Sequence, residues 1–232
     1  MFDLVAFASP LQNMRREPLA LLKWLALVFM TMDHVNKFVL LGSQPWMYEL
    51  GRVAMPLFAF VFAHNLAGMK VQRSALPRLL KRLFCFAVLA QLPYLLVNDL
   101  WKHWWPLNIL FTLFFSALII YFYETWKSRW CVALCSLVFA WGGLLVEFWW
   151  PAVALVLSAY FFFRKPSLSL LFLFVFCLSF LYLINASFSA FVALPLIFFS
   201  LKFRFSLPRA KLFFYAFYPA HLALIFGYLR LA

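Results

Sequence analysis

Charge is scarce in this sequence, and negative charge scarcest of all. Of 232 residues only 12% are charged, and the acidic ones number 7 against 20 basic. Soluble domains carry about a quarter charged residues, so this chain cannot clothe a water-exposed surface of ordinary composition. Glycine is also thin, at 6 residues, with no GxxxG pair and no glycine-rich phosphate loop, which argues against P-loop and dinucleotide-binding designs. The four cysteines, Cys85, Cys131, Cys135 and Cys177, all lie inside apolar runs. No CxxC or Cys/His spacing is present, so they read as packing residues, with neither a disulfide nor a bound metal expected. Internal repeats and low-complexity tracts are missing. So are the paired, interrupted half-spans that mark inverted-repeat transporters.

What fills the chain instead is apolar: 67% hydrophobic residues, 22% aromatic and a mean hydropathy of +0.94. The apolar runs are continuous, whereas a transmembrane barrel would alternate with period two. The expected class is therefore all-α, a polytopic transmembrane helical bundle forming a single integral-membrane domain over 1–232 with no soluble domain. With about 17–25 residues needed per span, the runs are Leu19–Leu41, Val53–Gly68, Leu83–Val97, Leu107–Tyr123, Trp130–Val146, Trp150–Phe163, Leu168–Ile184, Phe188–Leu201 and Leu212–Leu229. That is about nine spans. The tight hairpin around Glu147–Pro151 and the short legs beside Asn185–Ser187 leave room for eight or ten, because either can be a re-entrant segment. The first run is too long for a signal peptide and lacks a small-x-small cleavage pattern, so it reads as a retained span.

A net charge of +13 would suggest nucleic acid in a soluble protein. Its placement argues otherwise. Every basic residue except Lys37, Arg52, Lys102 and Arg230 falls in or beside alternate gaps, at Arg15–Lys23, Lys70–Arg82, Lys127–Arg129, Arg164–Lys165 and Lys202–Lys211. The other gaps hold Glu49, Asp99 and Glu147. With the N-terminus inside, this is the positive-inside pattern; nine spans then leave the C-terminus outside, and no nucleic-acid partner is expected. Trp46, Trp101, Trp104, Trp105, Trp149 and Trp150 fall near the outer gaps, as an interfacial aromatic belt would.

Against this background, Asp33, His34, Asn36 and Lys37 stand inside the first apolar run. An Asp or Lys at a span centre costs roughly 2.5–3.5 kcal/mol and usually faces protein or an aqueous cavity. Arg52 enters the second span and Asn108 the fourth, while the ninth carries Tyr218 and His221 on either side of Pro219. The threading puts all of these between mid-membrane and the outer half of the bilayer, so one shared polar cavity is expected. Each member also has a plainer reading. Asp33 and Lys37 can form an i,i+4 ion pair, and Lys37 can instead extend to the interface. His34 can bond a backbone carbonyl, Arg52 can anchor at the interface and Asn108 can cap a helix. His64 and Asn65 close the second span at its inner side, where a boundary role is at least as natural as a functional one.

Four segments also carry a family resemblance: LKWLALVFMTMDHVNKF, WMYELGRVAMPLFAFVFAHNL, PLNILFT and FFYAFYPAHLAL. Together they resemble the TraX family of bacterial inner-membrane pilin acetylases, anchored at Leu22–Phe38, Trp46–Leu66, Pro106–Thr112 and Phe213–Leu224; Trp130 to Phe205 matches only in hydrophobicity. The resemblance implies acetyl-CoA as co-substrate and the N-terminal amine of a pilin-like protein as acceptor. It also implies kinship with enzymes that acylate cell-surface glycans, which leaves a glycan as an alternative acceptor.

Acyl transfer from a thioester needs orientation, a base for the acceptor and charge stabilisation at the developing oxyanion. His34 is the expected base, supported by Asp33, with Arg52 or Asn108 polarising the carbonyl and Asn36 and Tyr218 lining the substrate. His221 is the rival base, or a proton donor to the departing thiolate. Neighbours i and i+1 on a helix do not face one another, so Asp33 has Arg52 or His221 as alternative partners. The basic stretch with Lys70, Arg73, Arg78, Lys81 and Arg82 suits the phosphates of CoA, or simply topology and anionic lipid. A proton-coupled transporter using the same Asp, His and Arg residues is the main rival to the enzyme reading, and a non-catalytic assembly scaffold is the third.

Overall fold

The computed structural model describes residues 3–69, 75–100, 102–208 and 211–231. Where the solvent is hydrocarbon, a backbone N–H or C=O must find its partner within the chain, and a helix does this within a single segment. The apolar runs accordingly form helices: α1 Leu4–Gln12, α2 Arg16–His34, α3 Pro45–Gly68, α4 Ala75–Val97, α5 Ile109–Thr125, α6 Trp130–Leu145, α7 Trp149–Arg164, α8 Leu168–Phe180, α9 Tyr182–Asn185, α10 Ala193–Ser200 and α11 Lys211–Leu231. The protein is a polytopic helical membrane bundle. The stretches Arg16–Val39, Pro45–Gly68, Ala75–Val97, Leu168–Asn185 and Leu212–Leu231 are long and apolar enough to cross a membrane; Ile109–Thr125, Trp130–Leu145, Trp149–Arg164 and Ser189–Ser200 are apolar but shorter.

Several details depart from the pattern of apolar runs. Helix α3 starts at Pro45, well before the run that begins at Val53, because proline is suited to a first helical turn. Helix α2 continues into a π-helical turn, Val35–Val39, placed directly after Asp33 and His34. The 168–200 region is twice interrupted: α9 ends at Ala186 in the left-handed conformation (φ 49°), and a 3-10 turn, Ser189–Val192, precedes α10. Helix α1 lies outside every expected span; its Ala8 and Leu11 are buried.

The chain divides into two compact units interleaved in sequence, Met1–Gly68 with Ala154–Ala210, and Met69–Val153 with Lys211–Ala232. In the first, α2 packs along α3, and the 3-10 turn and α10 pack on both of them or on α3. Small side chains make α3 a close-packing helix: Ala54, Ala59 and Ala63 are all buried. At the end of this unit away from Asp33, the Gln12 amide donates to the Phe163 carbonyl (2.8 Å), and the Gln12 carbonyl accepts from His64 Nε2 (3.2 Å). In the second, α4 packs against α5 and α11, and α6 packs against α5. Gly142 and Gly143 of α6 sit under Phe115 and Trp150, where an added Cβ would lie 2.7 Å and 2.3 Å from ring carbons. Helices in lipid gain little from burying apolar surface against each other, so such close approach and buried hydrogen bonds carry the association.

Candidate functional site

In the first unit, the end of α2 meets the start of α3. Asp33 and Arg52 form an ion pair, Asp33 Oδ2 accepting from Arg52 Nη2, with both side chains about 15% exposed (14% and 15%). Gly51 makes this possible: a Cβ there would lie 2.4 Å from Asp33 Cβ, so only glycine lets the carboxylate side chain rest on the α3 backbone. The guanidinium is held from every side. Nη1 donates to Asn185 Oδ1 (3.3 Å), Nε donates to the Tyr48 carbonyl (3.3 Å), and the Tyr48 ring lies 4.3 Å beneath Cζ. The Tyr48 hydroxyl donates to the Asn185 carbonyl at 2.6 Å. One turn away, Glu49 accepts hydrogen bonds from the hydroxyls of Ser187 and Ser189. The break between α9 and α10 therefore supplies a polar collar around Arg52. Irregular backbone at membrane depth is tolerated where protein covers it, and here three side chains of the break are used.

His34 is half-buried on the same turn as Asp33, with its ring 5.8 Å from that of Phe38. Asp33 thus pairs with Arg52 on the facing helix. Lys37 is exposed, with Nζ 4.8 Å over the Phe38 ring. The π-helical turn, Val35–Val39, begins directly after His34 and contains Lys37. Asn36 is 2% exposed and shapes the following loop, its carbonyl accepting from Gly42 N–H (2.8 Å) and its side-chain oxygen from Gln44 N–H (2.9 Å).

The second unit holds Asn108, Tyr218 and His221. Asn108 is fully buried and caps α5, its Oδ1 accepting from Leu110 N–H (3.0 Å). Its amide donates to the Ala87 carbonyl (2.9 Å) and to Gln91 Oε1 (2.8 Å) on α4. Gln91 in turn donates to the carbonyls of Trp104 and Pro106. Next to this cap, Leu107 and Val146 form a parallel bridge: Leu107 N–H donates to the Leu145 carbonyl (2.8 Å) and Glu147 N–H to the Leu107 carbonyl (3.0 Å). Glu147 is pinned there by its backbone N–H, and Tyr94 and Tyr218 of the same unit are both buried. His221 is 5% exposed, stacked on Phe217 (5.1 Å, 11°), with Nδ1 2.9 Å from the Phe217 carbonyl. A carbonyl only accepts, so Nδ1 carries the proton in this contact.

Of the basic residues expected to meet CoA, Lys70 and Arg73 lie outside the described residues. Arg78, Lys81 and Arg82 are exposed on the first turns of α4. The Arg82 guanidinium lies 5.7 Å from the Tyr215 ring.

The family model described as TraX protein matches residues 18–230, nearly the whole chain. The chain belongs to the TraX family. Two curated relatives, both described as Protein TraX and both from Escherichia coli, one of them from strain K12, are similar to it. The first is 36% identical over 126 residues, the second 37% over 127. Each alignment takes in 53% of this chain and 47% of the relative, so the match spans about half the length of those proteins. No solved structure matches.

Sequence reasoning singled out Asp33, Arg52 and His221 but missed the residues that hold them. Asn185, Ser187 and Ser189 look like turn residues in a gap, and Glu49 and Glu147 like loop charges. The one usable signal was that the Asn185–Ser187 gap is flanked by legs too short for ordinary spans. Gly51 gave no signal by itself, since its role depends on a neighbour's Cβ.

Proposed function

We propose that this TraX-family chain is a membrane acyltransferase that moves an acetyl group from acetyl-CoA to the N-terminal amine of a pilin-like protein at the outer face of the bacterial inner membrane. The observation that supports the reading is His221, a buried imidazole on an apolar helix whose ring is oriented by the contact of Nδ1 with the Phe217 carbonyl. A terminal amine ionises near neutrality, and a neutral imidazole matches it as a general base.

The reaction follows directly. The amine nitrogen attacks the thioester carbonyl carbon, the proton it loses passes to His221 Nε2, and the tetrahedral intermediate collapses with cleavage of the C–S bond. The protonated imidazole then returns the proton to the CoA thiolate, leaving an amide and free CoA. Arg52 is the fixed cation of the first unit, held in place by its bonds to Asp33, Asn185 and Tyr48. Asp33 acts as a positioning residue for Arg52, so the expected Asp33–His34 dyad gives way to His221 as first choice of base, with His34 second. The exposed Arg78 and Lys81 remain the residues offered to CoA phosphates.

The test is transfer from labelled acetyl-CoA to a peptide with a free N-terminal amine, using the purified full chain. His221→Ala is expected to lower kcat by roughly 10²–10⁴-fold, the usual share of a general base, and His34→Ala by far less. Undiminished transfer in His221→Ala removes the proposed base. Proton-driven solute flux without product would favour a transporter, which the same intramembrane groups also suit.

A further inference from the structure

Charges set into or beside the helix ends leave short apolar middles. On α3 the stretch free of Asp, Glu, Lys and Arg runs from Arg52 to the helix end, residues 53–68, and on α4 from Arg82 to the end, residues 83–97. Helix α5 has Glu124 in its last turn, which leaves 109–123, and α7 ends on Arg164, which leaves 149–163. Helix α6 lies between Arg129 and Glu147. At 1.5 Å per residue these stretches measure about 22–24 Å. Those on α11, 212–229, and on α8 with α9, Leu168–Asn185, reach about 27 Å. The hydrocarbon core of an ordinary bilayer is about 30 Å thick. Helix α6 shows both limits of the belt. Its Trp130, Val132, Leu137 and Trp141 are 55–72% exposed. The Arg129 guanidinium stands 5.4 Å from the Trp130 ring at one end, and Trp149 and Trp150 are exposed just past the other. Tryptophan and basic side chains of this kind sit at headgroup level.

We propose that the apolar surface of this protein fits phospholipid with a hydrocarbon thickness of about 24 Å, about 6 Å less than usual, and thins or selects the lipid around it to match. A span longer than the hydrocarbon can tilt, but a shorter one cannot lengthen. It thins the bilayer, reaches outward with flanking side chains or associates with further helices. Lysine and arginine reach the interface on long stems, whereas Asp99, Glu124 and Glu147 have short ones. Reaching outward therefore closes part of the gap at the basic ends and little at the acidic ends, and the remainder falls to the lipid. The two aqueous phases then lie closer together at this protein than in the surrounding membrane. Such an arrangement suits chemistry that joins a reactant from each side.

The experiment reads stability, so its outcome is independent of the acyl-transfer reading. The purified full chain is reconstituted into phosphatidylcholine bilayers whose hydrocarbon thickness runs from about 22 to about 34 Å, and thermal unfolding is followed by loss of helical circular dichroism. The midpoint is expected to be highest at about 24 Å and to fall by at least about 5 °C once the thickness passes about 30 Å. Lys127→Leu combined with Arg129→Leu extends the uncharged part of α6 by about 4 Å towards Trp126. That variant should lose less than the native chain between the thin and the thick bilayers. A native midpoint that peaks at about 30 Å or above, or that is indifferent to thickness, overturns the inference. An equal loss in the variant does so too, because the charges would then not bound the belt. A thin-bilayer optimum without any acetyl transfer leaves the lipid match standing and removes the acyl-transfer reading instead.

Discussion

The two units organise their polar groups differently. In the first, full charges neutralise each other: Asp33 closes on Arg52, and Glu49 takes two serine hydroxyls. In the second, the densest hydrogen bonding is neutral and reaches backbone as often as side chain, with Asn108 and Gln91 tying together Ala87, Trp104, Pro106 and Leu110. A buried ion pair attracts strongly but each ion paid for its desolvation on folding, so its net worth is small while the loss of one member is large. An amide clasp carries no such liability. The first unit is therefore built to hold a cation in a fixed place, and the second to hold backbone segments in register.

The largest effect should come from splitting the charges. Arg52→Ala leaves Asp33 uncompensated and is expected to destabilise the first unit by about 3–5 kcal/mol. The Asp33→Ala, Arg52→Ala double variant should recover much of that, since neither charge then lacks its partner. Thermal unfolding in detergent for the two single variants and the double variant measures the coupling. If the losses simply add, the pair is not what places Arg52.

Asn108→Ala comes next, and it probes the neutral clasp. Loss of an N-cap costs about 1 kcal/mol, and losing the two side-chain amide bonds to Ala87 and Gln91 adds about 1–3 kcal/mol. A total of about 2–4 kcal/mol is expected, insensitive to salt because no ion is involved. A loss that changes with ionic strength would show that the second unit also depends on charge.

This contrast marks the limit of what could be read from the residues alone. Apolar runs announce helices because lipid leaves the backbone no other partner, and all nine runs formed them. Ionisable residues within those runs announce themselves as well, which is why Asp33, Arg52 and His221 were legible. Their partners were not. That Asp33 meets Arg52 depends on the packing of α2 on α3, which no spacing rule encodes, and Asn185 becomes a ligand of Arg52 only through a helix break that brings it back across more than a hundred residues. Asn108 could be read as a cap, and it is one. The clasp it makes with Gln91 needed the packing of α4 on α5, which leaves no mark in local sequence.

The smallest effects come from glycine, and they should differ in sign between the units. Gly51 and Gly227 both lie inside helices, so replacing either with alanine gains backbone stability of about 0.5–1 kcal/mol from propensity alone. At Gly227 in α11 nothing lies within 4 Å of an added Cβ, so the gain should appear undiminished. At Gly51 the methyl meets Asp33 Cβ at 2.4 Å and Cγ at 2.6 Å. Those atoms are the root of a side chain tied to Arg52 and cannot swing clear, so α2 must move off α3. Overpacking of this kind costs about 1–3 kcal/mol, which exceeds the propensity gain and makes Gly51→Ala a net loss. The shift would also loosen Arg52, so under the proposed acyl transfer Gly51→Ala should impair turnover while Gly227→Ala should not. A Gly51→Ala protein as stable and as active as the native chain would mean that the close contact between α2 and α3 is not required to hold the charged pair.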